Sequence, residues 1–68
     1  MDIRRRVGLN IKKERKRKGW SQEDLALESD LHRTYISGIE RGARNPTIMV
    51  IDQLAKTLGV KPGKLLDG

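Results

Sequence analysis

The sequence predicts an all-α fold of five helices, and three observations carry that prediction. Apolar residues recur at spacings of three and four along most of the chain, no stretch alternates apolar with polar as a half-buried strand does, and helix start and stop residues punctuate the pattern. Sixty-eight residues suffice for one core, so residues 1–68 are expected to form a single domain with no linker and no repeat. Hydrophobic content of 35% is low, but the 35% of charged residues are mixed in sign and the apolar positions are periodic, which places the chain among folded domains.

The first helix is expected over roughly residues 3 to 18. Ile3, Val7 and Ile11 form its apolar stripe, and Gly19 stands as the C′ residue that ends it. Ser21 reads as an N-cap with Asp24 three residues on, a capping-box variant that opens a short helix over residues 22 to 28 and buries Leu25 and Ala26. Ser29-Asp30-Leu31 breaks it, with Asp30 at a sharp turn whose left-handed conformation Asp tolerates better than most residues. A third helix is expected over residues 33 to 41, burying Ile36 and Ile39 and stopping at Gly42. After the Asn45-Pro46 loop, Thr47 caps a fourth helix with Ile48, Ile51, Leu54, Ala55 and Leu58 inward and Gly59 as its stop. Pro62 suits the first turn of a last short helix carrying Leu65 and Leu66.

Charge narrows the function. Fifteen Lys and Arg against nine Asp and Glu leave a net +6, so an acidic partner is expected, nucleic acid first and an anionic membrane surface second. The field is polarised: residues 1–20 carry nine basic and two acidic side chains, residues 21–31 carry four acidic and none basic, and residues 32–45 carry three basic and one acidic. The run Lys12 to Lys18 reads as a solvated helix face that attracts DNA at long range. A membrane-lying helix would need a broader apolar face than Ile3, Val7, Leu9 and Ile11 provide. With no cysteine and one histidine, no metal site, disulfide or thiol chemistry is expected. No Gly-rich phosphate loop and no inward pair of carboxylates are present, so neither enzymatic activity nor a cofactor is expected. The charged start, without an apolar run, points to a cytoplasmic chain.

Two short helices joined by a tight turn, residues 22 to 28 and 33 to 41, have the spacing of a helix-turn-helix, whose second helix offers its outward face to the major groove. With Ile36 and Ile39 inward, that face carries Arg33, Thr34, Ser37, Gly38 and Arg41, with Tyr35 to one side and Gly38 permitting close approach. Arg33 can donate a bidentate pair to guanine, and Thr34 offers a hydroxyl and a methyl group, which makes both candidate base readers. Ser21, Gln22, Tyr35, Ser37, Arg41, Arg44 and Asn45 are candidates for phosphate contacts, which fix register but not sequence. One such helix reads only a few base pairs, so a homodimer on a near-palindromic operator is expected, with half-sites about 34 Å apart.

The run SQEDLALESDLHRTYISGIERGARNPT resembles the Cro/repressor type of helix-turn-helix, also called XRE-like, and the likeness extends from Ile11-x-x-x-Arg15-x-x-x-Gly19 through Leu58-Gly59-Val60 to Leu65-Leu66. Within that family, LHRTYISGIERGARN most resembles the controller proteins of restriction-modification systems, small dimeric transcription regulators. The resemblance implies a compact lambda-repressor-like domain in which His32, Arg33 and Thr34 occupy the base-reading stretch and Gln22 caps onto a phosphate. It further implies that Arg15 pairs with Glu40, that Val60, Leu65 and Leu66 lie at the dimer contact, and that the exposed face of the second helix, with Glu23 and Leu27, can touch RNA polymerase. Three positions depart from the family pattern: Asp30 replaces a turn glycine, Glu14 an apolar residue, and Met49-Val50 a mostly polar pair.

Several residues keep two readings at this stage. His32 is either a pH-sensitive base contact or an irregular N-cap, Tyr35 either reaches phosphate or packs beside the turn, and Leu65 and Leu66 either dimerise or join the core. Trp20 sits at the staple position before an N-cap and is expected in the core. The rival function is an antitoxin-like protein-interaction module in which Leu27, Met49 and Val50 dock a second protein and DNA binding is secondary.

Overall fold

The computed structural model describes residues 2–68, as five helices in the order α1 (Ile3–Arg17), α2 (Gln22–Ser29), α3 (Arg33–Glu40), α4 (Ile48–Leu58) and α5 (Pro62–Leu66). Each boundary has a local chemical cause. Asp2 caps α1 by accepting from the Arg4 N–H at 2.8 Å, and the side-chain and backbone donors of Arg4 hold the Asp2 carboxyl down at about 2. Ser21 and Asp24 form a reciprocal capping box at α2, Oγ to the Asp24 N–H at 3.0 Å and the carboxylate to the Ser21 N–H at 2.9 Å. Thr47 caps α4 through the Val50 N–H at 3.1 Å. Gly19, Gly42 and Gly59 take the positive φ that ends α1, follows α3 and ends α4.

The break after α2 is narrower than the sequence suggests. Ser29 stays helical, because its hydroxyl donates to the Leu25 carbonyl at 2.6 Å inside the protein and so satisfies itself within the helix. The turn falls on Asp30, at φ 60° and ψ 35°, the one non-glycine residue with positive φ among the described residues. Gln53 of α4 donates to the Ser29 carbonyl, fastening the end of α2 to α4.

Val7, Ile11, Leu25, Ala26, Ile36, Ile39, Ile51, Leu54, Ala55, Leu58 and Leu65 form one continuous core, with Trp20, Leu31, Tyr35, Val50 and Val60 packed against its edge. Of the positions expected in the core, Trp20 is half-buried at its edge and two others lie outside it. Ile48 is 87% exposed, because it is the first residue of α4 and projects past the neighbouring helices, and Ile3, at the start of α1, is half exposed for the same reason. Both rim an open groove of about 180 Å³ shared with Val7, Pro46, Ile51 and Leu66. Of the three residues expected at the dimer contact, Leu65 is wholly buried and belongs to the core of the single chain. Val60 is half-buried against that core, and Leu66 remains exposed.

The side chain of Glu14, unusual at an inward position, is buried and answered by Arg17 Nη1 at 3.2 Å. Lys18 lies over the Trp20 ring, 4.8 Å from its centroid. No helix among the described residues is long and apolar enough to cross a membrane.

Candidate nucleic-acid interface

The placement of α3 begins with a missing side chain on α1. Gly8 is buried where the two helices cross, and a Cβ there would sit 2.8 Å from the Glu40 carbonyl oxygen and closer still to that of Ile39. The backbones therefore approach as only glycine permits. Its sequence signal was available: Gly8 lies three and seven residues before Ile11 and Arg15, inside the buried stripe of α1, where an isolated glycine marks close approach.

A buried ion pair fixes the far end of α3. Arg15 Nε donates to Glu40 Oε2 at 2.7 Å and Arg15 Nη2 to Oε1 at 2.9 Å, a bidentate geometry, while Arg15 Nη1 donates to the Trp20 carbonyl at 2.7 Å. The Glu40 carboxylate, despite the partial burial that opposes it, raises the Arg15 pKa above its ordinary value. This pair ties α1, the loop before α2, and α3 into one rigid unit.

The front of that unit is basic and hydrogen-bonding. Ser21, His32, Arg33, Thr34, Arg41, Arg44 and Asn45 are exposed, and Gln22, Tyr35 and Ser37 are half-buried. His32 occupies the N-cap position of α3 without a side-chain hydrogen bond; its carbonyl accepts from Tyr35 and Ile36 N–H, each at 3.1 Å. Arg41 Nε turns back to the Ser37 carbonyl at 3.3 Å. Arg33 and Thr34 thus stand exposed on the first turn of α3, where the helix dipole favours an anion.

Two residues differ from the expected arrangement. Gly38 does not open the outer face of α3, because it is buried beneath Arg44, whose Cγ would lie 2.6 Å from an added Cβ. The Gly38 carbonyl accepts from Ala43 and Arg44 N–H at 2.9 and 3.2 Å, so this glycine seats the turn after α3. Gln22 points its amide inward: Nε2 donates to Glu40 Oε1 at 3.1 Å and Oε1 accepts from Arg33 Nη1 at 3.4 Å. Neither contact has a spacing rule, since both join residues on different helices.

Comparison with known proteins agrees with this geometry. The helix-turn-helix family HTH_3 matches residues 11–65, most of the chain and all of the α2–turn–α3 unit. The chain belongs to the helix-turn-helix family. Among its relatives, control protein C.BamHI of Bacillus amyloliquefaciens is 62% identical over 47 residues, covering 69% of this chain and 58% of that protein, so the match spans little more than half of that relative. The restriction-modification controller protein C.AhdI from Aeromonas hydrophila superposes with a TM-score of 0.91 at 38% identity, covering 96% of this chain and 98% of that one. A chain of the controller protein C.Esp1396I, from the tetramer solved in complex with its natural 35 base-pair operator, superposes with a TM-score of 0.83 at 41% identity, covering 98% of this chain and 99% of that one. In this helix-turn-helix family, then, the all-α fold read from the sequence recurs in close structural neighbours, and restriction-modification controllers are among the relatives.

Proposed function

We propose that this chain is a sequence-specific double-stranded DNA-binding transcription regulator of the controller type. It works in the cytoplasm as a homodimer on a near-palindromic operator, with residues 1–68 acting as one DNA-binding domain. The observation that carries the reading is the first turn of α3, where Arg33 and Thr34 are exposed on a helix whose other end is locked by Arg15 and Glu40. The operator complex of C.Esp1396I supports it by similarity.

In this reading Arg33 and Thr34, with His32 beside them, meet base edges. Ser21, Tyr35, Ser37, Arg41, Arg44 and Asn45 meet phosphates, and Gln22 lies between the two groups. Arg33→Ala is expected to lose about 1 to 3 kcal/mol on the operator and to relax preference at one base pair, whereas Arg44→Ala should weaken all duplexes alike and reduce the salt slope by about one. Titrations on operator and scrambled duplexes at several salt concentrations separate the two; equal loss on both DNAs for Arg33→Ala would remove it from the base readers. The same titrations, followed by sedimentation, should find two chains per palindrome. Dimer contacts are assigned to the apolar face made by Ile3, Ile48, Met49 and Leu66, which stay 43% to 87% exposed in the single chain.

A second partner is favoured by Leu27, which is 79% exposed on α2 and lines, with Glu23, Ala26, Asp30 and Leu31, the α2 side of a shallow groove whose other side is His32 and Arg33. The α2 side of that groove, acidic at Glu23 and apolar at Leu27, is assigned to RNA polymerase. Glu23→Lys should abolish activation while operator affinity persists; unchanged transcription would dismiss the contact.

A further inference from the structure

Three consecutive arginines near the start of α1 meet three different surroundings. Arg4 donates to both carboxylate oxygens of Asp2, at 3.2 and 2.9 Å, so its charge is answered locally. Arg6 is half-buried beside Gly68. Arg5 is exposed, and among the described residues no carboxylate pairs with it. It stands about one turn before Gly8, on the edge of α1 that meets α3. There it lies against Gly42: a Cβ on that glycine would come within 2.7 Å of Arg5 Cγ and 3.1 Å of its Cα, so the arginine stem crosses the turn that follows α3. Arg41 precedes Gly42 and Arg44 and Asn45 follow it, all three exposed, and neither arginine has a carboxylate partner among the described residues. Cations gathered without a counter-ion repel one another in the free protein, and an anionic backbone laid across them removes that repulsion.

We propose that Arg5 is a further phosphate-binding residue, so that the start of α1 and the turn after α3 form one contact surface for the duplex backbone, outside the helix-turn-helix itself. This inference rests on the duplex binding proposed above, and the experiment keeps the two apart. The full chain, Arg5→Gln, Arg5→Lys, Arg4→Gln and Lys13→Gln are titrated at several salt concentrations against a palindromic duplex recovered by selection from random DNA and against its scrambled counterpart. The three glutamine variants each remove one unit of charge from an exposed position of α1, so attraction acting at long range would fall alike in all of them. Arg5→Gln is expected to keep the helical circular dichroism of the parent, to weaken both duplexes about three- to tenfold, and to lower the salt slope by about one for each bound chain. Arg4→Gln and Lys13→Gln should each cost less than about twofold, and Arg5→Lys should restore most of the loss, because a phosphate accepts a point charge. Among palindromes carrying one neutral methylphosphonate each, there should be one position at which Arg5→Gln costs nothing further. Equal losses for the three glutamine variants, or the absence of such a position, would reduce Arg5 to a contributor to the general field and overturn the inference while duplex binding stands. If the parent chain binds neither duplex, the DNA-binding reading fails and the inference with it.

Discussion

Glu40→Ala is expected to lose about 3 to 5 kcal/mol of folding stability, a large part of the total available to a domain of this size. The loss arises less from the vanished attraction than from what stays behind. Arg15 is 7% exposed and keeps its contact to the Trp20 carbonyl, so its charge would remain inside the protein without a counter-ion, and Gln22 would lose an acceptor as well. Urea denaturation followed by circular dichroism and by Trp20 fluorescence measures the effect. A loss below about 1 kcal/mol would class the pair with exposed surface ion pairs, whose contribution is of that size. Because the same carboxylate fixes one end of α3, DNA affinity should fall even at temperatures where the variant remains folded.

Gly8→Ala is expected to destabilise by about 1 to 3 kcal/mol or more, opposite in sign to the usual result of replacing a helical glycine with alanine, which stabilises by roughly 0.5 to 1 kcal/mol. The added methyl group would meet backbone oxygens of α3 that cannot rotate aside, so α1 and α3 must separate. That separation would strain the Arg15–Glu40 geometry, and thermal unfolding should show the two substitutions to be non-additive. A raised melting temperature for Gly8→Ala would mean that the helices yield at little cost and that their close approach is incidental.

What could be read from the sequence was what is local. Ser21 with Asp24, Thr47, Gly19 and Gly59 sit at chemically required places beside helix ends, and Leu25, Ile36, Ile39, Leu54 and Leu58 follow a period that the helix itself imposes. Ile48 and Ile3 were misplaced because periodicity assigns a face but says nothing of where along its axis a helix outruns its neighbours. Leu65 and Leu66 were indistinguishable as adjacent leucines; only the docking of α5 on α1 and α4 sends one inside and leaves the other out. At the site, the exposure of the candidate base readers Arg33 and Thr34 was legible because outwardness follows from subtracting Ile36 and Ile39. The inward turn of the Gln22 amide and the burial of Gly38 were not, since each depends on a residue from another segment, Glu40 in one case and Arg44 in the other.

The absence of a side chain at Gly38 lets Arg44 lie flat along α3 with its guanidinium 5.7 Å from the centre of the Tyr35 ring. An arginine otherwise surrenders up to about 2 kcal/mol of rotational freedom when a ligand pins it. With Arg44 resting over that ring, the phosphate contact proposed for it would leave less of this freedom to be lost, and so carry a smaller entropic penalty.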